Sequence, residues 1–170
     1  RFLQQHLGQQ RFFTLGPIAP NYGSYFGLAS VNLNDEPIVG SWSRYIVSHL
    51  NDNAQPAVFT GTVGADPAGP TPAQELASHL PAYEAVGVRY VVAEPGSTPP
   101  SVDGRALPVV FSDRVAEIFE LPDPAPFQSA RGGGCRVVAS SPDEAVADCA
   151  GPGTLTRLEQ YMPGWSATVD

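Results

Sequence analysis

Two cysteines, Cys135 and Cys149, bracket a segment that restricts how the end of this 170-residue chain can fold. The segment CRVVASSPDEAVADC predicts a strand, a Ser-Ser-Pro-Asp turn and a second strand, so the two cysteines stand at the two ends of a hairpin. We therefore expect a disulfide across this hairpin, and two buried thiols are the alternative. A disulfide indicates an oxidising, extracytoplasmic compartment.

The segments before this hairpin predict helices mixed with strands. Apolar residues recur at three-to-four spacing over residues 38–50, which predicts an amphipathic helix. The segment TPAQELASHLPAYEAVG predicts a second helix, with Thr71 as its N-cap, a proline at its first position and Gly87 beyond its end. VRYVVA then predicts a strand, PVVFSD and VAEIFELPD predict a hairpin, and residues 57–60 fit a short strand.

From residue 127 onward the pattern predicts strands alone, ending with TLTRLEQYMP and GWSATVD. The expected fold is therefore α+β, with an N-terminal α/β part over residues 1–125, built from a small sheet and flanking helices. An antiparallel β part follows over residues 126–170. We expect this part to be a truncated sandwich, because two full layers need more strands. Trp165 follows Pro-Gly and fits a core anchor, and a sugar-stacking platform is the alternative.

The formal net charge of -8 includes nine basic residues, all of them arginines that are not clustered. A nucleic-acid partner is excluded on this basis, because neutralising phosphates requires a basic face. Arginine without lysine, together with abundant Ala, Gly and Pro, indicates a GC-rich genome, and we expect an actinobacterial source. The chain has neither an apolar stretch of membrane-spanning length nor a signal-peptide core. Its start on Arg1 and its stop after a strand-like segment are expected of an excised domain.

The histidines His6, His49 and His79 are scattered, and two cysteines cannot complete a four-ligand zinc site with them. His49 and His79 are each near a predicted helix end, where surface or capping roles are common. The sequence contains no nucleophile elbow and no phosphate-binding loop. We therefore predict no metal site, no cofactor and no catalytic residue within this chain.

The window over residues 21–44 has the highest density of groups suited to binding sugars, because it combines ring faces with carboxylate, amide and guanidinium groups. The structural alternative is that Asn21 and Gly23 form a turn, that the tryptophan belongs to an apolar helix face, and that Asp-Glu-Pro begins a helix. The candidate substrate-binding residues are Tyr22, Tyr25, Asn34, Asp35, Trp42 and Arg44.

Several segments in order resemble the extracytoplasmic portion of the YfhO-like family of bacterial membrane proteins. They are RFFTLG, PNYGSYFGLASVNLNDEP, YEAVGVRYVVA, LPVVFSDRVAEIFELPD and LTRLEQYMPGWSATVD, which together span most of the chain. The last segment is the most specific, because it matches the family pattern in register at Tyr161, Pro163, Gly164, Trp165, Ala167, Val169 and Asp170.

This resemblance implies that the chain belongs to a multi-pass membrane protein with a glycosyltransferase-like core that uses lipid-linked sugar donors. In such proteins an acidic residue on a loop between membrane helices acts as the base. We therefore expect a non-catalytic accessory domain on the extracytoplasmic face that positions donor or acceptor. Its partners would be the membrane-embedded remainder of the polypeptide and an envelope glycan or lipid-linked sugar. The alternative is a scaffold domain that binds glycan or protein without a part in glycosyl transfer.

Overall fold

The computed structural model describes residues 1–34, 37–61, 68–160 and 163–169. The chain divides into two compact units, Arg1–Pro126 and Phe127–Asp170. The predicted α+β class is confirmed, because the first unit combines a mixed sheet with short helices and the second contains antiparallel strands.

The first unit is built on a five-stranded sheet. Its strands are β1 (Arg11–Thr14), β2 (Ala29–Ser30), β3 (Val88–Ala93), β6 (Val109–Ser112) and β7 (Glu117–Glu120), and their order in the sheet is β2-β1-β3-β7-β6. Strands β1 and β2 are parallel to each other, and β3 is parallel to β1, whereas β7 runs antiparallel to both β3 and β6. A small hairpin of β4 (Ser101–Val102) and β5 (Arg105–Ala106) precedes β6.

Helices cover both faces of this sheet, since neighbouring residues on each strand point to opposite sides. On one face, Phe12 packs against Leu3, which lies in the first helix, and against Leu7, which follows that helix. On the other face, Phe13 belongs to a larger cluster that includes Leu76 from the third helix. The helices are α1 (Phe2–His6), α2 (Gly40–Tyr45), α3 (Pro72–Ser78) and α4 (Leu80–Ala85), and a π-helical turn, Ile46–Leu50, continues α2.

The helix predicted from Thr71 begins as expected. The Thr71 hydroxyl accepts from the Gln74 backbone N–H, and the Gln74 side chain accepts in return from the Thr71 N–H, which is a complete capping box. The helix breaks at His79 rather than running on to Gly87. The reason is Pro81, which has no N–H to donate within a continuous helix and instead occupies the first turn of α4.

The strand expected at residues 57–60 is wrong, because Pro56–Val58 form a 3-10 turn. Proline fixes its own backbone at a turn-compatible φ, and the Val58 N–H donates to the Gln55 carbonyl at 2.9 Å. The Phe59 carbonyl still accepts from the Leu33 N–H at 3.0 Å. Phe59 therefore anchors this loop without a strand ladder, through that hydrogen bond and through its buried ring, whose centroid lies 5.7 Å from that of Phe13.

The buried side chain of Asn32 continues the hydrogen bonding at the end of β1. Its Oδ1 accepts from the Thr14 N–H at 2.6 Å and its Nδ2 donates to the Thr14 carbonyl at 3.2 Å. One amide therefore satisfies both backbone groups of Thr14, as a paired strand would.

The second unit consists of two antiparallel ladders. β8 (Gln128–Arg131) pairs with β11 (Thr154–Arg157), and β9 (Arg136–Ser140) pairs with β10 (Ala145–Asp148). The predicted disulfide is confirmed, because Cys135 and Cys149 are bonded beside the β9–β10 hairpin. The described part of this unit contains no fully buried apolar side chain. The disulfide therefore has a larger share in holding this unit together than it would beside a large core.

The expectation of a final strand with Trp165 as a core anchor is wrong. Residues 163–169 form no strand, and Trp165 is 42% exposed. Its ring is covered by the guanidinium of Arg157, whose carbon lies 4.3 Å from the ring centroid. A cation–π contact at the surface therefore replaces the expected burial, since no strand partner shields this ring.

Candidate functional site

Asn21 and Asn34 are hydrogen bonded to each other at the two ends of the segment that contains the aromatic residues of the candidate site. The Asn21 Nδ2 donates to the Asn34 carbonyl at 2.9 Å, and the Asn21 Oδ1 accepts from the Asn34 N–H at 3.3 Å. Asn21 has a left-handed backbone with φ of 69°, which its short polar side chain tolerates better than most. The two asparagines therefore tie together the two ends of residues 21–34, a segment that includes β2 as well as the turn Tyr22–Phe26.

Three aromatic rings, those of Tyr22, Tyr25 and Phe26, lie exposed on the 3-10 turn Tyr22–Phe26 within this segment, and we call them the aromatic cluster. The Tyr22 ring centroid lies 5.7 Å from that of Tyr25 and 5.7 Å from that of Phe26. The exposed fractions of Tyr22, Tyr25 and Phe26 are 53%, 83% and 50%. Tyr22 therefore links the other two rings, and contiguous exposed rings of this kind are typical of a binding surface rather than of scattered exposed side chains.

Gly23 holds this turn against the sheet. It is buried, and a Cβ added there would lie 2.7 Å from the Leu28 carbonyl oxygen and 2.9 Å from the Phe12 ring. Only glycine lets the turn approach Phe12 this closely. The neighbouring rings are therefore presented on a fixed support.

Trp42 and Arg44 lie on α2, apart from the aromatic cluster. The Trp42 ring stacks on Tyr45 with centroids 5.6 Å apart, and Tyr45 stacks on His49 with centroids 4.5 Å apart. Trp42 also packs against the larger core cluster, and Arg44 is exposed. Burial raises the pKa of Tyr45 above its ordinary value. The helix thus has an aromatic row that is partly anchored in the core.

The structure brings together two of the six predicted site residues directly. Tyr22 contacts Tyr25, and Asn34 joins them through its hydrogen bonds with Asn21. Asp35 lies outside the described residues. Within the ranges that the structure describes, neither tyrosine ring is in contact with Trp42.

Ser48 and His49 are hydrogen bonded at 2.8 Å, but their geometry does not activate a nucleophile. The Ser48 hydroxyl donates its one proton to the Arg44 carbonyl at 2.6 Å, so the His49 Nδ1 must donate to the Ser48 oxygen. A base would need the reverse direction.

A second polar cluster, which the sequence patterns do not predict, surrounds the junction of α3 and α4. The buried Glu75 accepts from the Asn53 Nδ2 at 3.2 Å, and its carboxylate lies 3.5 Å from the His79 Nδ1. The His79 Nε2 lies 3.6 Å from the Asp52 carboxylate. The i, i+4 spacing of Glu75 and His79 on one helix could have predicted their contact. Asp52 and Asn53 are distant from them in sequence, so no local pattern predicts that they join the cluster.

This cluster borders a pocket of about 210 Å³ in the first unit. Its lining residues include the buried aromatic rings of Phe13 and Tyr83, and Asn51, Asn53 and Gln55 from the segment that follows the π-helical turn. Tyr83, one of these rings, has a raised pKa, because burial disfavours the phenolate and the Glu75 charge adds to this effect.

Among the described residues, no group of three or more His, Cys, Asp or Glu side chains is arranged to hold a metal ion. Nor does the described part of the chain contain a helix long and apolar enough to span a bilayer. Comparison with known proteins found no match to a family model, to a curated protein or to a solved structure.

Proposed function

We propose that this chain is an extracytoplasmic accessory domain of a membrane glycosyltransferase-like protein, in which the aromatic cluster holds an envelope glycan or the sugar of a lipid-linked donor. The observation that carries the proposal is the contact among the exposed rings of Tyr22, Tyr25 and Phe26 on a fixed turn. The domain positions the sugar, and the transfer itself takes place in the membrane-embedded part of the polypeptide.

The chemistry of the cluster suits a sugar. A pyranose ring has an apolar C–H face that packs on aromatic rings, and its rim of hydroxyls pairs with polar groups nearby. The two tyrosines supply both properties, since each has an apolar ring and a hydroxyl that donates and accepts. The turn is held by Gly23 and by the Asn21 hydrogen bonds, so little ordering is needed on binding.

Two further observations support the compartment and the parent protein. The disulfide between Cys135 and Cys149 is compatible with an oxidising, extracytoplasmic location. The resemblance to YfhO-like sequences associates the chain with a glycosyltransferase-like membrane core and with lipid-linked sugars. Together with the aromatic cluster, these features favour a role in cell-envelope glycan or lipid modification.

The alternative proposal is a scaffold domain that binds a partner protein through the same rings. Contiguous exposed apolar rings also mark protein interaction sites, and tyrosine is enriched there. The two proposals differ in what the aromatic cluster binds. In the first it binds a sugar, and in the second it binds the surface of another protein.

Glycan-array binding and titration with lipid-phosphate sugars, both on the isolated chain, distinguish them. We expect sugar binding that Tyr25→Ala weakens by about 0.5–1.5 kcal/mol, the contribution of one aromatic contact. Val115→Ala is the matched control, because Val115 is a 64% exposed apolar residue of the same unit outside the cluster. Turnover by the isolated chain would contradict the accessory role, and capture of a membrane-protein partner without any sugar binding would favour the scaffold.

A further inference from the structure

The rings of the aromatic cluster form a short row in which neighbouring ring planes are tilted against each other. Tyr22 is the middle ring, and the centroids of Tyr25 and Phe26 each lie 5.7 Å from its own. The plane of the Tyr25 ring is tilted by 51° from that of Tyr22, and the plane of the Phe26 ring by 60°. The flat face of one pyranose therefore cannot pack on two neighbouring rings at once.

The cluster is an open surface rather than a cleft. Tyr25 is 83% exposed, and about half of Tyr22 and of Phe26 is exposed. Sites for single small ligands are concave and bury roughly 70–90% of the ligand surface, which rings as exposed as these cannot do. A ligand that contacts several rings in succession binds more tightly, because each further contact adds to the affinity without a second loss of translational freedom.

The segment that contains the cluster has no charged residue. All of residues 12–34 are uncharged, and the first charged residues after them in the sequence are acidic, Asp35 and Glu36. Among the described residues, no arginine lies over a ring of the cluster. Phosphate groups in proteins pair with arginine or lysine, so this surface has no partner for the phosphate of a lipid-linked donor. A neutral glycan needs no such partner.

We propose that the aromatic cluster binds three successive residues of a neutral, linear glycan chain, with one sugar residue against each ring. This inference rests on the proposed function and selects the envelope glycan, rather than the single sugar of a lipid-linked donor, as the ligand of the cluster. Successive residues of a glycan are rotated about their glycosidic bonds, so their apolar faces point in different directions, as the three ring faces do. Gly23 holds the turn against the sheet, so the rings keep this arrangement without a ligand.

The test is an amide NMR titration of the whole chain with glucose and with the maltose and cellobiose series of oligosaccharides, up to the tetrasaccharides. In at least one series, each added residue up to the third should lower the Kd by about 2- to 10-fold, the effect of one further aromatic contact. The tetrasaccharide should gain no more than about twofold over the trisaccharide, because it adds a second binding register but meets no fourth ring.

Removing single rings distinguishes binding along the row from binding on one ring. Tyr22→Ala removes the middle ring and should reduce the advantage of the trisaccharide over glucose to about twofold or less. Phe26→Ala removes an end ring, so the trisaccharide should bind this variant only as tightly as the disaccharide binds the unmodified chain.

Two variants serve as controls. Tyr22→Phe keeps the middle ring and should keep the dependence of the Kd on glycan length. Val115→Ala changes a 64% exposed apolar residue of the same unit outside the cluster and should leave every Kd unchanged.

The same titration with lipid-phosphate glucose separates this inference from the proposed function. Equal Kd values for glucose and the trisaccharides, with shifts in the turn Tyr22–Phe26, would overturn the glycan chain as the ligand while supporting the proposed function. Binding of lipid-phosphate glucose to the turn without binding of any oligosaccharide would have the same meaning. The absence of shifts in the turn with all of these ligands would overturn both.

Discussion

The guanidinium carbon of Arg157 lies 4.3 Å from the Trp165 ring centroid and 5.0 Å from that of Phe127. The same guanidinium donates to the Pro142 carbonyl and, at 3.3 Å, to the Ser141 carbonyl. The Arg157 side chain is only 12% exposed, whereas the Trp165 residue is 42% exposed. In the second unit, Arg157 is therefore the buried residue of this contact, and Trp165 packs over it from the solvent side.

The first prediction follows from this asymmetry. Trp165→Ala should lower the free energy of unfolding by only about 0.5–1 kcal/mol, the value of an exposed cation–π contact. Arg157→Ala should cost more, about 1–2 kcal/mol, because the Pro142 carbonyl also loses its donor and the Glu159 carboxylate loses its ion pair. The Ser141 carbonyl keeps a hydrogen bond from the Gln128 side chain at 3.3 Å. Urea unfolding of both variants provides the measurement. Equal losses, or a larger one for the tryptophan, would show that Trp165 is buried after all.

Local signals explain what the sequence predicted correctly. The capping box at Thr71 and Gln74 involves residues three apart, and the cysteine hairpin closes over a sequence separation of 14. Both can be recognised from neighbouring residues alone. Tyr22 and Tyr25 also meet because they share one turn.

The contacts that the sequence did not predict join residues that are far apart along the chain. Asn32 reaches Thr14 across 18 residues, and Asn53 reaches Glu75 across 22. The periodicity of apolar residues predicts helices and strands, but it does not predict side-chain hydrogen bonds over such distances in sequence. The Pro-Gly turn and the strand-like pattern of GWSATVD predict a buried Trp165, but a strand pattern leads to burial only where another strand pairs with the segment.

The second prediction concerns the disulfide. Replacing Cys135 and Cys149 together by serine should destabilise the second unit by about 3 kcal/mol, the amount expected for opening a loop of about 15 residues. The described part of this unit has no fully buried apolar side chain to compensate. Amide NMR spectra with and without a reductant should show loss of dispersion for residues 127–160, while residues of the first unit keep their shifts. Unchanged spectra for both units after complete reduction would contradict this.

The third prediction concerns Asn32, whose side chain is a hydrogen-bonding partner for Thr14. Asn32→Ala should cost about 2–4 kcal/mol, because the buried N–H and carbonyl of Thr14 both lose their partner. Asn34→Ala is the matched control, since Asn34 is exposed and binds Asn21 through its backbone. That control should change stability by no more than about 0.5 kcal/mol. A similar effect of the two substitutions in thermal unfolding would argue against the role of Asn32.

The final prediction concerns how the free energy of unfolding changes with pH above pH 10. The chain has no lysine, and its two cysteines are bonded to each other, so tyrosine phenols are the side chains that titrate between about pH 9 and 11.5. Burial raises the pKa of Tyr83 above its ordinary value of 10.0, and the Glu75 charge raises it further. Below pH 10 both folded and unfolded states keep this proton, and stability does not depend on it.

Above pH 10 the unfolded chain releases the Tyr83 proton while the folded chain retains it, so stability falls as pH rises, by up to about 1.4 kcal/mol per pH unit for this one group. Tyr83→Phe removes that contribution and should give a shallower decline in urea unfolding measured across this range. Some decline should persist, because burial also raises the pKa of Tyr45 and Tyr90. Tyr25→Phe controls for the loss of a hydroxyl at an 83% exposed position. If the stability of Tyr83→Phe declines as steeply as that of the unmodified protein, the fold does not hold the Tyr83 phenol neutral above pH 10.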